Sequence, residues 1–231
     1  MDPSDPPKPK RKSPAGVPTT DLVLSAMQGT NADLFPRALA LYVEPGATVA
    51  DTTYGKGVFW RNVPEGRYDL RATDLQTGVD ARSLPYADAS MDAVVFDPPW
   101  MPASSGRTME SSEDTRAFES YYRNNARPDG TLRYRDAVLA LYEEAAREAL
   151  RVLRPKGVYF VKCQDEVHAN RQYLTHCELW VRLGALGFLT EDLFVLVRWG
   201  KPGVSRLLRQ AHARKNHSYL MVFRKKVPPA R

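Results

Sequence analysis

The sequence predicts an α/β fold built on a mostly parallel sheet, and three observations lead to that prediction. Apolar runs of strand length alternate with helical segments through the middle of the chain. Three successive runs each end in or near an aspartate, at Asp51, Asp74 and Asp97. Two further runs close the chain and predict an antiparallel pair of strands beside the parallel ones. In such sheets ligands bind beyond the carboxyl ends of the strands, so three acids along that edge predict a site.

The individual elements follow from local patterns. Strands are predicted at 47–51, 67–74, 92–97 and 158–163, with the late pair at 188–199 and 218–226. Helices are predicted at 31–43, 135–157 and 171–186, and Thr20-Asp21 is a candidate cap for a further short helix. The pattern over 135–157 is the clearest, because its apolar residues recur at helical spacing and a Pro-Lys-Gly sequence ends it.

Charge and composition predict the domain organisation. The chain of 231 residues carries a net charge of +6, and no acid occurs between Leu193 and Arg231. We expect a disordered basic arm at 1–18 and a single domain at 19–231. The domain would include a lid or target-contacting loop at 101–135 and a basic stretch at 198–231. The basic stretch suits a polyanion, and the alternative is a solvated face of a basic protein.

Other classes of protein are disfavoured. No apolar run approaches the ~20 residues that span a bilayer, and the N-terminus is polar, so we expect a cytoplasmic, nucleoid-associated protein without membrane contact. Two cysteines form no disulfide framework. The spacing of Cys163, His168, His176 and Cys177 does not indicate zinc, and no metal is expected.

The segment DTTYGKG, which begins at Asp51, indicates a cofactor loop. Gly55 and Gly57 lie in a turn between a strand and a predicted helix, where glycine lets the backbone approach a ligand closely. Asp74 follows at close to the spacing of about 20 residues at which nucleotide-binding sheets hold a ribose. A dinucleotide fits less well, because the glycines lack the G-x-G-x-x-G pattern and Asp51 would repel a pyrophosphate. An acid there suits an ammonium group, so the pattern favours S-adenosylmethionine, which carries adenosine and an amino acid.

The segment DPPW, from Asp97 to Trp100, indicates a site for an exocyclic amine. Such an amine is a poor nucleophile, because its lone pair is delocalised into the base. The Asp97 carboxylate and the Pro98 carbonyl can accept hydrogen bonds from its two N–H groups and so free that lone pair. Pro99 helps to fix the direction of the carbonyl. Trp100 offers a face on which a flipped base can stack. A strand that ends in a proline turn and a packing tryptophan is the structural alternative.

The order of the two motifs resembles the S-adenosylmethionine-dependent amino-methyltransferases, which methylate exocyclic nitrogens of nucleobases. The similarity spans roughly Asn31 to Lys226. It implies a Rossmann-like class I methyltransferase fold with a seven-stranded sheet. It also implies that the segment 31–36 closes over the cofactor. The residues implied to contact the cofactor are Asp51, Thr53, Gly55, Gly57, Asp74, Leu75, Asp80, Ala81 and Phe35.

Two departures from the family pattern limit the substrate assignment. Thr53 stands where the family more often has phenylalanine, and the long target-recognition region of restriction-type enzymes is absent. Messenger-RNA adenine methyltransferases share the tetrapeptide, but they carry it ahead of the glycine loop.

The favoured target is adenine N6 in DNA, with cytosine N4 second. An RNA base methyltransferase and an inactive, nucleic-acid-binding subunit are the alternatives. Candidate nucleic-acid contacts are Tyr121, Tyr122, Arg123, Arg206, Arg209, Arg214 and Lys215.

Overall fold

The computed structural model describes residues 22–98, 135–168, 170–200 and 210–227. The predicted arm at 1–18, the helix cap at Thr20-Asp21 and the loop at 101–134 lie outside the described residues.

Nine strands and three α-helices make up the described part of the chain. The strands are β1 (Ala26–Gln28), β2 (Thr48–Asp51), β3 (Asp69–Ala72), β4 (Met91–Phe96), β5 (Leu153–Cys163), β6 (Glu166–His168), β7 (Arg171–Tyr173), β8 (Phe188–Val197) and β9 (His217–Lys225). The helices are α1 (Asn31–Tyr42), α2 (Arg135–Val152) and α3 (Thr175–Leu186). The six strands and the three helices whose bounds were predicted therefore all occur, most of them within a few residues of those bounds.

Seven of the strands form one sheet in the order β1-β8-β9-β5-β4-β2-β3. The neighbours pair in parallel, except that β9 runs antiparallel to both β5 and β8. This arrangement confirms the α/β class, the seven-stranded, mostly parallel sheet and the late antiparallel pair. It is a Rossmann-like α/β arrangement, as the resemblance implied. Because β2, β4 and β5 are parallel neighbours, their carboxyl ends lie side by side at one edge.

Three short elements differ from the prediction. β1 was not predicted, and it pairs with Val195–Val197 of β8 at the edge of the sheet. The predicted helix over 171–186 begins only at Thr175, because Arg171–Tyr173 pairs with β6 across a turn in which Asn170 has φ +58°. A three-residue 3-10 turn at Val58–Trp60 replaces the helix expected after the glycine loop. Strand pairing decided the first two cases, with the distant β8 for β1 and with the adjacent β6 for Arg171–Tyr173.

The helix predicted to 157 ends at Val152, and β5 starts at once with Leu153. The chain enters the sheet with a register irregularity between Met91 and Ala93 of β4. Lys156 takes up a left-handed conformation there, with φ +64°.

Each face of the sheet carries its own apolar core. α2 and α3 cover one face, where Tyr142, Leu179 and Phe223 belong to one cluster of buried side chains. α1 covers the other, where Phe35 and Phe160 belong to a second cluster. Side chains alternate along each strand, so neighbouring residues of β4 and β5 belong to different cores. Within the described residues, none of the helices combines the length and the apolar character needed to cross a bilayer.

Candidate active site

A cavity of ≈ 240 Å³ opens at the carboxyl edge of β2 and β4. It is lined by Asp51, Thr53, Tyr54, Gly55, Lys56, Val58, Phe59 and Asp97. Two of the three acids predicted to share one edge of the sheet therefore share one cavity.

Asp51, the last residue of β2, is a buried carboxyl group with only 3% of its surface exposed. Its Oδ2 accepts a hydrogen bond from Trp60 Nε1 at 2.7 Å, and its Oδ1 accepts one from the Thr53 backbone N–H at 3.0 Å. Burial raises the pKa of this carboxyl to about 7, the two hydrogen bonds oppose the rise, and the charge of Asp97 adds to it. The charged form of Asp51 thus has two neutral donors, and a ligand cation would stabilise it further.

Thr53 connects the two acids. Its Oγ1 accepts a hydrogen bond from the Asp97 backbone N–H at 2.7 Å, while its own backbone N–H binds Asp51. A phenylalanine, which the family that the sequence resembles more often has at this position, could not accept that hydrogen bond. The threonine therefore fixes the start of the DPPW segment against the cofactor loop.

The glycine loop has the backbone that its sequence predicts. Gly55 and Gly57 both have positive φ, at 51° and 64°, where a side chain would be strained. At Gly57 space is restricted as well, because an added Cβ would lie 2.6 Å from the hydroxyl oxygen of Tyr54. The Gly55 backbone N–H donates to Asp74 Oδ2 at 2.9 Å, and the Tyr54 N–H donates to the Thr73 carbonyl at 3.1 Å. The loop is therefore held against the segment that follows β3.

Asp74 has a structural role besides the predicted one. Its Oδ1 accepts from the Thr77 backbone N–H at 2.9 Å and so caps a 3-10 turn over Leu75–Thr77, while its Oδ2 holds Gly55. Each carboxylate oxygen has a second lone pair, so contact with ribose hydroxyls stays a prediction. Leu75, predicted beside the cofactor, is half-buried in that turn.

Asp80 and Ala81 lie in a tight turn before β4. The Asp80 carboxylate accepts two hydrogen bonds from Arg82. Nε donates to Oδ1 at 2.9 Å and Nη2 donates to Oδ2 at 2.5 Å. Burial alone would raise the pKa of Asp80, but the hydrogen bonds and charge of Arg82 hold it below its ordinary value. Ala81 is almost fully buried. Their contact with the cofactor stays a prediction.

Phe35 lies in the core and not on the cavity wall. Its ring is 1% exposed and packs against Phe59, Trp60 and Phe160, with ring centroids 4.9, 5.3 and 5.6 Å away. A ring so buried offers almost no surface to a ligand. Phe35 therefore supports Phe59, which lines the cavity, and its predicted cofactor contact stays a prediction.

One polar residue near the site was not predicted. Lys162, near the end of β5, is 1% exposed, and its Nζ makes no hydrogen bond within the described residues. Burial lowers the pKa of this ammonium to about 8, although the charge of Asp97 raises it. The available sequence signal was a lysine inside the apolar run VYFVKC, which follows the clearest helix.

The remaining predicted residues divide by whether the structure describes them. Asp97 and Pro98 are described, whereas Pro99 and Trp100 lie outside the described residues. The described residues also do not include Tyr121, Tyr122, Arg123, Arg206 and Arg209.

Arg214 and Lys215 are described and directly precede β9. Because Tyr219 of β9 pairs with Cys163 at the end of β5, these two cations lie at the carboxyl edge of the sheet.

Comparisons with known proteins give structural likeness only. No family model matches the sequence, and no curated protein matches it. A proposed DNA modification methylase of Thermus thermophilus is 22% identical, over 66% of this chain and 54% of its own, with a TM-score of 0.40. The chain thus spans about half the length of that protein.

Two further solved structures are similar at the same level. TrmN of Thermus thermophilus is 17% identical over 83% of this chain and 48% of its own, with a TM-score of 0.44. The 1,6-didemethyltoxoflavin-N1-methyltransferase of Burkholderia thailandensis is 16% identical over 85% of this chain and 79% of its own, with a TM-score of 0.48.

Proposed function

We propose that the protein transfers a methyl group from S-adenosylmethionine to an exocyclic amine of a nucleobase in a nucleic acid. The observation that supports this best is the pair of acids in one cavity, Asp51 and Asp97, joined through Thr53. One acid suits the cofactor and the other suits the amine. The pair lies at the carboxyl edge of a parallel sheet, where such folds bind ligands.

The residues around Asp51 fit the amino-acid end of the cofactor. Two carboxyl groups share a small cavity, and the charge of Asp97 raises the pKa of Asp51. A ligand ammonium would relieve that repulsion and complete the hydrogen bonding of the buried carboxylate. The left-handed Gly55 brings backbone rather than a side chain to the cavity, which leaves more room for a ligand.

The DPPW segment would prepare the amine. Bound S-adenosylmethionine would supply an electrophilic methyl group. The Asp97 carboxylate and the Pro98 carbonyl accept hydrogen bonds from the two N–H groups of the amine. These bonds draw the nitrogen toward a tetrahedral geometry and free its lone pair. Thr53 holds the backbone of Asp97 in place, so the acceptor does not need to be ordered when the amine arrives. The methylated nitrogen then loses one proton to solvent, and no strong base is required.

For the target we propose adenine N6 in DNA, with cytosine N4 as the second choice. The Asp that begins the tetrapeptide supports adenine, because the cytosine enzymes of the similar family more often begin theirs with Ser. Arg214 and Lys215 support a polyanionic substrate, because they place positive charge at the same edge as Asp97. An RNA base amine is the alternative substrate, and an inactive nucleic-acid-binding subunit is the alternative function.

The replacement of Asp97 by alanine tests the proposal. Methyl transfer from tritiated S-adenosylmethionine to unmethylated DNA should be lost in Asp97→Ala, while calorimetry should show cofactor affinity within a few-fold of wild type. Asp69→Ala, which removes an exposed acid of β3, is the matched control and should keep both properties. Normal turnover in Asp97→Ala would sink the role of this carboxylate. Absence of cofactor binding by the wild type would sink the methyltransferase assignment as a whole.

The nucleic-acid partner has its own test. The Arg206→Ala/Arg209→Ala/Arg214→Ala/Lys215→Ala variant should flatten the log-log dependence of duplex binding on salt by about 3 to 4 units, at about 0.9 per lost phosphate contact. Fluorescence anisotropy across a salt series, on DNA and on RNA duplexes, measures both slopes. An unchanged slope would place the nucleic acid elsewhere on the protein.

A further inference from the structure

A buried lysine lies one strand away from Asp97, on the same side of the sheet. Val95 of β4 pairs with Phe160 of β5, and side chains alternate along both strands. Asp97 follows Val95 by two residues, as Lys162 follows Phe160. Val95 and Phe160 both belong to the core under α1, so Asp97 and Lys162 share that face at the carboxyl edge.

The ammonium of Lys162 is buried, and its Nζ makes no hydrogen bond within the described residues. The backbone of this lysine is fixed, because the Tyr142 hydroxyl donates to the Lys162 carbonyl at 2.8 Å. The pairing residue of β9 is the apolar Leu220. A buried ammonium without hydrogen bonds is costly, and an apolar residue of similar volume would ordinarily be at least as stable.

Two charged groups act on this ammonium. Asp97, which follows β4, favours the charged form of Lys162, whereas the neighbouring Cys163 thiol stays neutral because burial raises its pKa. Arg198, just after β8, opposes the charged form. Of these charges, that of Asp97 has the largest effect on the Lys162 ammonium. The electrostatic partner of Lys162 is therefore the proposed amine acceptor.

We propose that Lys162 is a positioning residue whose buried ammonium keeps the Asp97 carboxylate ionised and so ready to accept the hydrogen bonds of an amine. Asp97 needs such support, because Asp51 lines the same cavity and the two negative charges repel. A protonated Asp97 would lose one of its acceptor sites and would present a donor toward the amine. The inference about methyl transfer rests on the proposed function, whereas the electrostatic link between Lys162 and Asp97 does not.

The link can be measured without any ligand. Carbon-13 NMR of protein labelled at its aspartate carboxyl groups follows the ionisation of Asp97, and the Asp97→Asn variant assigns its signal. In Lys162→Met the carboxyl of Asp97 should titrate about one pH unit or more above its wild-type position, the size expected when a nearby opposite charge is lost. Lys226→Met removes an exposed ammonium just beyond the end of β9, at the opposite edge of the sheet from Asp97. It should leave the titration of Asp97 where it is.

Further variants make the result decisive. Lys162→Arg retains the charge and should titrate like the wild type, and Lys162→Gln replaces Lys162→Met if the latter does not fold. An unchanged titration of Asp97 in a folded, uncharged variant overturns the proposal.

The pH profile of methyl transfer then separates this inference from the proposed function. Its acid limb should move to higher pH in Lys162→Met in step with the NMR titration. A shifted titration in a protein that transfers no methyl group would refute the proposed function and leave the electrostatic link standing.

Discussion

The affinity for S-adenosylmethionine should depend on pH through Asp51. Burial places the pKa of this carboxyl at about 7 in the ligand-free protein. An ammonium in contact with it would lower that pKa by roughly 1 to 3 units. Binding would therefore release a proton from Asp51 wherever the free carboxyl is protonated. Affinity would then be full above pH 7 and would decline as the pH falls below it.

The size of the effect follows from linkage. Below the free pKa of about 7, each pH unit should weaken binding about tenfold, until the pKa of the bound state is reached. The α-amino group of the ligand loses its own proton at about pH 8, so affinity should fall again above that point. The expected optimum is therefore a narrow range between about pH 7 and pH 8.

Isothermal titration calorimetry from pH 5.5 to pH 8.5 measures this dependence. In Asp51→Asn the slope below pH 7 should vanish, because the amide does not titrate, and the affinity at pH 7.5 should fall by about 1.5–3 kcal/mol, the value of a hydrogen bond to a charged group. 5′-Methylthioadenosine, which lacks the amino-acid part, serves as the control ligand and should bind equally at every pH. A wild-type affinity for S-adenosylmethionine that is flat between pH 5.5 and pH 7 would refute the reasoning.

Three further results are expected. Thr53→Val should lower the free energy of unfolding by about 1–3 kcal/mol in denaturant titrations, because it leaves the Asp97 N–H without its acceptor, whereas Thr53→Ser should behave like the wild type. Gly57→Ala should weaken cofactor binding in calorimetry far more than Gly66→Ala, because both have positive φ but only at Gly57 would the new Cβ meet a neighbour; equal losses would show that backbone conformation alone matters. Iodoacetamide should label native protein at Cys177 and not at Cys163 in peptide mass spectra, because burial raises the pKa of the Cys163 thiol and hides it; labelling of both thiols at equal rates would contradict this packing.

The elements that the sequence predicted are those with strong local patterns. The helix over 135–157 and the strand over 92–97 bury long apolar stretches, so their periodicity is visible in the chain alone. The glycine loop was predictable for a similar reason, since left-handed backbone at Gly55 and Gly57 demands a particular residue type.

What was missed depends on contacts between distant parts of the chain. β1 has three residues and no periodicity of its own, and only its pairing with β8 makes it a strand. Phe35 carries the right residue type for a cofactor pocket, but the packing of Phe59 and Trp60 over its ring decides that it is core. Lys162 became a candidate only when strand register placed it beside Asp97, since one lysine in an apolar run does not reveal its neighbours.

The position of β9 has a consequence for how the protein is made. This strand comes last among the described strands, yet it lies inside the sheet between β5 and β8. On the ribosome, a nascent chain that ends before His217 leaves unpaired edges on both of those strands, because β9 is the strand that joins them in the described sheet. β1 and β8 join the rest of the sheet only through that strand, so completion of the sheet must wait until synthesis has passed Lys225. A chain that ends before Lys225 should therefore aggregate and should not behave as a slightly shortened form of the protein.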